Sequence, residues 1–485
     1  MKEKSIKKNA ILNGIRTVLN VLFPLITFPY ISRVLSVDEI GIFNFSGSVV
    51  SYFMLLAGLG FSQYAIREGT KYRNSREEIS KFASRIFNLN IISTIISYVI
   101  LVILILFSSK LQSYTYCILI ISVQIAFTTI GMEWLYSIFE EYTYITVRSI
   151  VFKIISIALL FIFVRNEGDI LAYSAISVFA CVGSNILNFV NCKKYCDIKI
   201  GIFVDYKEII IPIIIIFASN VAIQIYVNSD ITMLGYMKDD YSVGIYSVST
   251  KIYGIVKNVL TAVLTVTIPR FSLFAGLNKK EEFHDLLQKV IKTLWIICIP
   301  AVAGLICENN NIITIISGSK YLESSTSFII LSCAIIFAIF NGLLNNCILL
   351  AYKREKIFLY CTIVSAILNV FLNFFMIPMF DEIGAAITTF ISELILFILL
   401  YLFSKDILGK SFYEKSVLTS LGSSIIGSIG IVFVCIISNK YIDNVYIQTI
   451  LAVISSGIIY LLFLLLFKND IICDVLNRIG IKIKK

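Results

Sequence analysis

Apolar runs of about 20 residues recur along the whole chain, and short polar segments separate them. A helix of about 20 apolar residues is long enough to cross the roughly 30 Å hydrocarbon core of a bilayer. The pattern predicts fourteen membrane-spanning helices, at residues 10–31, 40–61, 86–107, 114–136, 149–164, 170–190, 209–234, 243–268, 292–316, 326–350, 357–378, 384–403, 417–437 and 446–467. The run Glu308-Asn-Asn-Asn311 interrupts the ninth of them.

An internal repeat relates the second span to the eighth. The stretch Asp38-Glu-Ile-Gly-Ile-Phe-Asn-Phe-Ser46 matches Tyr241-Ser-Val-Gly-Ile-Tyr-Ser-Val-Ser249, with Gly41 at the position of Gly244. A repeat of six spans is even, so both copies would enter the membrane with the same orientation. This predicts an all-α polytopic membrane protein with two six-helix lobes (1–205 and 206–408) and two C-terminal spans within 409–485. The alternative is that Gly-Ile-aromatic is merely a common way to begin a helix.

Composition supports the membrane assignment and sets the orientation. The 485 residues are 58% hydrophobic and only 15% charged, whereas soluble domains carry about 25% charged residues. If the N-terminus is cytoplasmic, the outer loops hold only six basic residues, which are Arg33, Lys110, Arg165, Lys238, Lys320 and Lys440. By the positive-inside rule, this distribution predicts that both termini lie in the cytoplasm. The net charge of +10 then reflects the basic residues of the inner loops and does not indicate nucleic-acid binding. The first apolar run is too long for a signal peptide and is expected to be retained.

Reactive residues are few and dispersed. The 11 cysteines are scattered, and the single histidine, His284, lies in a basic loop beside three acidic residues, where solvation is expected. No Gly-rich phosphate loop is present, so ATP hydrolysis is not expected. We therefore predict no catalytic residue, no metal and no cofactor.

Polar stripes run along several spans at helical spacing. They are Asn13, Arg16 and Asn20 in span 1; Asn220, Gln224 and Asn228 in span 7; and Thr362, Ser365, Asn369 and Asn373 in span 11. Such stripes either line a polar cavity or form interhelical hydrogen bonds worth about 0.6 kcal/mol each. Spans 1 and 7 are equivalent in the repeat, which favours the cavity for those two.

Ionisable residues inside spans cost about 2.5–3.5 kcal/mol each, which makes them candidates for function. Arg16 and Lys251 are predicted to face a cavity. Lys257 lies nearer the cytoplasmic end of span 8 and is the better placed of the two lysines to snorkel. Glu133 and Glu393 either pair with a basic residue or carry a coupling proton. The predicted cavity residues are Arg16, Asn13, Asn20, Asn220, Gln224, Lys251, Lys257, Asn369 and Asn373.

Several motifs resemble one family. They are Asn9-Ala-Ile-Leu-Asn-Gly14, Phe23-Pro-Leu-Ile-Thr-Phe-Pro-Tyr-Ile-Ser-Arg-Val-Leu35, Gly58-Leu-Gly-Phe-Ser-Gln-Tyr-Ala-Ile-Arg-Glu68 and Ile383-Gly-Ala-Ala-Ile-Thr-Thr389. With the span count, they resemble the Wzx-type oligosaccharide flippases of the MATE-like MOP superfamily. The motifs are characteristic but loose, because this family diverges widely.

The resemblance implies two lobes around a cationic central cavity that opens alternately to each side of the membrane. Its cargo would be an undecaprenyl-pyrophosphate-linked oligosaccharide repeat unit, moved to the outer leaflet of the cytoplasmic membrane for capsule, O-antigen or other surface polysaccharide. The implied partners are membrane lipids, a coupling cation (proton or sodium) and the polysaccharide polymerase machinery. Three alternatives stay open: a lipid II flippase, a cation-coupled multidrug exporter, and a membrane-embedded polymerase or transferase.

Overall fold

The computed structural model describes Gly14 and residues 22–201 and 207–479. This part of the chain forms nineteen α-helices. They are α1 (Leu22–Val34), α2 (Val37–Gly58), α3 (Phe61–Gly69), α4 (Arg76–Phe107), α5 (Ser109–Gln112), α6 (Thr115–Gly131), α7 (Glu133–Ile138), α8 (Tyr142–Phe163), α9 (Ile170–Val182), α10 (Asn185–Asn191), α11 (Lys207–Met237), α12 (Asp240–Gly276), α13 (Lys280–Cys307), α14 (Asn309–Ser317), α15 (Ser325–Gly342), α16 (Glu355–Leu408), α17 (Lys415–Tyr441), α18 (Val445–Leu466) and α19 (Asp470–Ile479). A π-helical turn, Leu343–Leu349, continues α15.

The predicted all-α membrane fold is confirmed. Twelve helical segments of the described residues are long and apolar enough to cross a membrane. One of them, the 54-residue α16, leaves helical geometry at Asp381 (φ 50°, ψ −130°). At 1.5 Å per residue α16 is far longer than a bilayer is thick, so its halves, 355–380 and 382–408, are the predicted spans 11 and 12. Helix α1 is the end of the predicted first span.

The interruption predicted in the ninth span is also present. Helix α13 ends at Cys307, and α14 begins at Asn309. Glu308, at the break, is buried and accepts a hydrogen bond from the side chain of Asn311 at 2.7 Å. The polar residues therefore end one helix and begin the next.

The chain divides into two compact units, Met1–Gly244 and Ile245–Lys485, with the boundary inside α12. In the first unit, α11 packs against α2 and α3. In the second, α17 packs against α13 and α18, and the Tyr460 hydroxyl donates to the main-chain oxygen of Ile296 at 2.8 Å. The predicted lobe boundary at 205/206 follows the sequence repeat, whereas the units here are defined by contacts, which group α11 with the first unit. The lobe boundary stays a prediction.

The repeat-related glycines meet within the first unit. A Cβ added to Gly41 in α2 would lie 1.8 Å from the main-chain oxygen of Asp240, at the start of α12. A Cβ added to Gly244 would lie 2.2 Å from the main-chain oxygen of Val37. The sequence offset that relates Gly41 to Gly244 also relates Val37 to Asp240, so the two contacts are reciprocal. Only glycine permits this approach of two helix starts.

A polar stripe on α4 binds the segment that follows α10. Ser80, Ser84 and Asn88 accept hydrogen bonds from the main-chain N–H groups of alternate residues, 197, 199 and 201, at 2.9, 2.9 and 3.1 Å. The side chain of Asn88 also donates to a main-chain oxygen of that segment at 2.8 Å. We call residues 197–201 the strap.

An ion pair reinforces the beginning of the strap. Arg76 donates two hydrogen bonds of 3.0 Å to the carboxylate of Asp197. This guanidinium holds the pKa of Asp197 below its usual value. The pair is solvent-exposed and so contributes little to stability by itself.

Candidate functional site

A buried carboxylate lies in the second unit. Glu393, in the second half of α16, is 2% exposed. Its Oε1 accepts hydrogen bonds from Lys257 Nζ and from the Tyr253 hydroxyl, each at 3.0 Å. Its Oε2 accepts from Asn341 Nδ2 at 2.8 Å. We call Tyr253, Lys257, Asn341 and Glu393 the carboxylate cluster.

Three helices build the carboxylate cluster. Tyr253 and Lys257 are four residues apart in α12 and so share a face. The Lys257 ammonium lies 3.3 Å from the Tyr253 hydroxyl and 5.3 Å from the centre of its ring, close enough for a cation–π interaction. Asn341 lies at the end of α15, just before the π-helical turn, and such turns often occur at functional sites.

Charge and exposure are distributed unequally in this cluster. The Glu393 side chain is 3% exposed, whereas that of Lys257 is 34% exposed. Lys257 is therefore the more exposed member of this ion pair.

This geometry bears on two of the expectations from the sequence. Glu393 pairs with a basic residue, which was one of the two roles considered for it. Lys257 does not simply snorkel, because its ammonium is held by Glu393 and Tyr253. Lys251, also in α12, is partly buried, and its role in a cavity stays a prediction.

The first unit contains a buried arginine that the sequence reasoning missed. Arg148, in α8, is 7% exposed and donates to the main-chain oxygen of Ser184 at 3.0 Å. Its second terminal nitrogen lies 3.4 Å from Glu133 Oε1, so Glu133 also pairs with a basic residue. The predicted fifth span begins at 149, which placed Arg148 in a loop. The available signal was the stretch 141–148, which has no glycine, proline or other turn residue to separate it from the helix.

Arg148 lies where two membrane helices are broken. The backbone of Met132, between α6 and α7, has the left-handed conformation (φ 41°). Helix α9 ends at Val182, and α10 begins at Asn185. Asn185 donates to the main-chain oxygen of Phe127 at 3.0 Å, and Asn188 donates to that of Gly131 at 2.8 Å. Broken helices expose backbone groups that must find partners inside a membrane. These side chains supply the partners.

The predicted cavity residues of span 7 lie in the first unit. Asn220 and Gln63 exchange two side-chain hydrogen bonds, at 3.2 and 3.4 Å, which join α11 to α3. Gln224 is partly buried, and its main-chain oxygen accepts from Asn228 at 3.5 Å. Both Asn220 and Gln224 keep some exposed surface, as a cavity residue needs.

The predicted cavity residues of span 11 lie deep in the second unit. Asn369 and Asn373 are 2% and 0% exposed. Asn373 donates to the side-chain oxygen of Asn369 at 3.2 Å and accepts from Thr388 in the other half of α16. These contacts join the two halves, and a role in substrate binding stays a prediction. Asn13, Arg16 and Asn20 lie outside the described residues.

Metal-ligand groups do not assemble in the described ranges. Within 22–201 and 207–479 no group of three or more His, Cys, Asp or Glu side chains is placed to hold a metal ion. His284 Nδ1 lies 2.9 Å from the Ser411 hydroxyl.

Comparison with known sequences gives long matches. The profile of the family described as polysaccharide biosynthesis protein matches residues 6–274, more than half of the chain, and the MatE profile matches residues 212–375. A protein of Escherichia coli (strain K12) that carries the name of an O-antigen transporter is 23% identical over 405 residues, which cover 83% of this chain and 97% of that protein. The capsular polysaccharide biosynthesis protein CapF of Staphylococcus aureus is 23% identical over 406 residues, which cover 81% and 98%.

Comparison with solved structures gives the fold. The lipid II flippase MurJ in an inward closed conformation aligns with a TM-score of 0.75 at 17% identity, over 96% of this chain and 99% of that one. An inward-facing multidrug resistance transporter of the MATE family in the MOP superfamily aligns with a TM-score of 0.56 at 14% identity, over 82% and 99%. At such identities the likeness is one of fold alone.

Proposed function

The chain belongs to the polysaccharide biosynthesis protein family, and from that premise we propose that it is a flippase for a lipid-linked oligosaccharide. The family match and the shared fold confirm the resemblance to the MATE-like MOP superfamily. The proposed cargo is an undecaprenyl-pyrophosphate-linked repeat unit, carried from the inner to the outer leaflet of the cytoplasmic membrane. Two relatives matched over nearly their whole length are named for O-antigen transport and capsular polysaccharide biosynthesis, which supports this cargo class.

The structural observation that carries the proposal is the partly exposed side chain of Lys257, a cation within a membrane-spanning helix. A pyrophosphate cannot cross about 30 Å of hydrocarbon without partners for its charge. Ammonium and guanidinium groups are such partners, and amides can bind sugar hydroxyls. A cation at membrane depth that retains an accessible side suits an anionic cargo.

We assign the roles accordingly. Arg16, Lys251 and Lys257 hold the pyrophosphate, and the amides of Asn13, Asn20, Asn220 and Gln224 hold sugar hydroxyls. Asn369 and Asn373 serve the fold, because their side chains are buried between the halves of α16. The role of the protein is transport, with no catalytic step.

Transport by alternating access is part of the proposal, with both termini in the cytoplasm and the polysaccharide polymerase machinery as the receiving partner. An inside-negative membrane potential assists outward movement of an anion by about 2.3 kcal/mol per charge per 100 mV. Glu133 is the more accessible of the two candidate coupling groups, because its side chain is 40% exposed whereas that of Glu393 is 3% exposed. A coupling proton or sodium ion would therefore act at Glu133 more readily.

The test is a deletion followed by complementation. Cells without the protein should accumulate lipid-linked oligosaccharide on the cytoplasmic leaflet and lose surface polysaccharide, and the wild-type chain should restore export. Lys257→Gln should restore little, whereas Lys440→Gln, a change at an exposed lysine of the predicted outer loop, should restore export fully. Normal surface polysaccharide and no trapped intermediate after deletion would contradict the proposed function.

The same cells separate the alternatives. If the protein is a lipid II flippase, its deletion would leave surface polysaccharide intact and block peptidoglycan synthesis. The likeness in fold over 96% of the chain is the reason to test this alternative. A multidrug exporter would change drug sensitivity with no effect on glycan. A polymerase or transferase would leave single repeat units on the outer leaflet.

A further inference from the structure

The carboxylate cluster holds its anion with more than one kind of donor. Glu393 accepts from one cation, Lys257, and from two neutral groups, the Tyr253 hydroxyl and the Asn341 amide. Asn341 Nδ2 also donates to the main-chain oxygen of Glu393 at 3.0 Å, while its own Oδ1 is buried with no hydrogen-bond partner. The amide is thus oriented to donate to Glu393. The carboxylate would keep two donors if the ammonium turned elsewhere.

The cation is the more exposed member of the pair. Lys257 has three N–H donors, of which one goes to Glu393 and one toward the Tyr253 hydroxyl. A third of its side chain remains exposed. The two contacts leave one N–H donor of the ammonium that a phosphate oxygen can bind.

We propose that Glu393 is a positioning residue that competes with the phosphate of the cargo for Lys257. In the empty site the carboxylate neutralises the ammonium; in the loaded site the phosphate takes the ammonium, and Tyr253 and Asn341 retain the carboxylate. When two anions compete for one cation, the presence of each anion weakens the binding of the other. The inference rests on the proposed function, because it takes an anionic cargo at Lys257 as given.

The competition has a use in transport. A carrier must bind its cargo firmly enough to load it and weakly enough to release it. A pyrophosphate held by uncompensated cations at membrane depth would leave slowly. A built-in carboxylate lowers the affinity and takes back the ammonium as the phosphate departs.

The experiment measures binding of inorganic pyrophosphate to the purified full-length chain in detergent, by isothermal titration calorimetry. Glu393→Gln should tighten binding on the order of tenfold, because the competing charge is gone. The new glutamine can keep its side-chain oxygen on Asn341 Nδ2 and donate from its amide nitrogen to the Tyr253 hydroxyl oxygen, which lets the variant fold. In Lys257→Gln binding should weaken, and adding Glu393→Gln to that variant should no longer tighten it.

Two further variants make the test specific. Tyr253→Phe removes one of the two neutral donors, so the Glu393 carboxylate depends more on Lys257. Pyrophosphate binding should therefore weaken in this variant, whereas it should tighten in Glu393→Gln. Glu308→Gln is the matched control, a buried carboxylate of the same unit whose side chain accepts from Asn311, and it should leave binding unchanged. A purely structural ion pair would lower thermal stability in Glu393→Gln, Lys257→Gln and Tyr253→Phe without opposite effects on affinity.

The outcomes separate the two proposals. Unchanged or weaker pyrophosphate binding in Glu393→Gln overturns the competition, and so does an equal change in Tyr253→Phe. If Lys257→Gln binds pyrophosphate as the wild type does, the cation role in the proposed function fails instead. In vesicle transport assays Glu393→Gln should lower both KM and kcat, as expected when release becomes slow.

Discussion

Alanine at Gly41 perturbs the reciprocal contact between the starts of α2 and α12. The new Cβ would lie 1.8 Å from the main-chain oxygen of Asp240, whereas ordinary contacts begin at 3.4 Å. The clashing atom belongs to the backbone and cannot rotate away, so the helix starts must separate by about 1.5 Å. Overpacking of this kind costs about 1–3 kcal/mol, and a backbone clash belongs at the upper end. Alanine has a higher helix propensity than glycine, which offsets about 0.5–1 kcal/mol of this cost. The free energy of unfolding should therefore fall by about 2 kcal/mol.

Gly47 in the same helix is the matched control. A Cβ there would meet no atom within 4 Å, so Gly47→Ala should gain about 0.5–1 kcal/mol. Unfolding of the purified protein by SDS, followed by the fluorescence of the buried Trp134 in the same unit, gives both free energies. The two variants should differ by about 3 kcal/mol, and Gly244→Ala should behave like Gly41→Ala. Equal stabilities of Gly41→Ala and Gly47→Ala would refute the reciprocal contact.

Three other perturbations test the first unit. Arg148→Gln should lower the free energy of unfolding by about 2–3 kcal/mol, because it removes a buried, hydrogen-bonded charge. Arg73→Ala, a change at an exposed arginine, should alter that free energy by less than about 1 kcal/mol. SDS unfolding measures both variants, and equal losses would contradict the burial of Arg148. Asn88→Ala should release the strap and speed tryptic cleavage after Lys199, and unchanged cleavage would contradict the hydrogen bonds that hold it. The folded pKa of Asp197 is lowered, so the stabilisation by its ion pair is present above the unfolded pKa and is lost as the pH falls through the folded pKa. Hydrogen exchange of the main-chain N–H groups of the strap, corrected for the intrinsic rate at each pH, should therefore lose protection on acidification, and protection independent of pH would contradict this.

The spans were predictable because each one must contain enough apolar residues to cross a bilayer by itself. That requirement is local, so the sequence reveals it even at the interrupted ninth span and at the two halves of α16. The equivalence of Gly41 and Gly244 was also visible, as a repeat. Their reciprocal contact was not, because a repeat relates positions in sequence and says nothing of which ones touch.

The candidate site was only partly predictable for the same reason. Both glutamates stood out as ionisable residues within spans, and both pair with basic residues. Glu393 meets Lys257 from 136 residues away, and that pairing depends on how α12, α15 and α16 pack. Arg148 escaped notice because the boundary of a helix is the least certain part of a sequence-based assignment. An error of a few residues moved a buried charge into a loop.

The central claim is that this chain moves a lipid-linked oligosaccharide across a bilayer. The direct measurement uses vesicles that contain the purified protein and a fluorescent undecaprenyl-pyrophosphate-linked oligosaccharide, with an impermeant quencher outside that destroys the fluorophore irreversibly. If the claim holds, the quencher extinguishes nearly all of the fluorescence in vesicles with the wild-type chain, and only the outer-leaflet half in vesicles with Lys257→Gln. Quenching limited to the outer-leaflet half with the wild-type chain, the same as in protein-free vesicles, would contradict it.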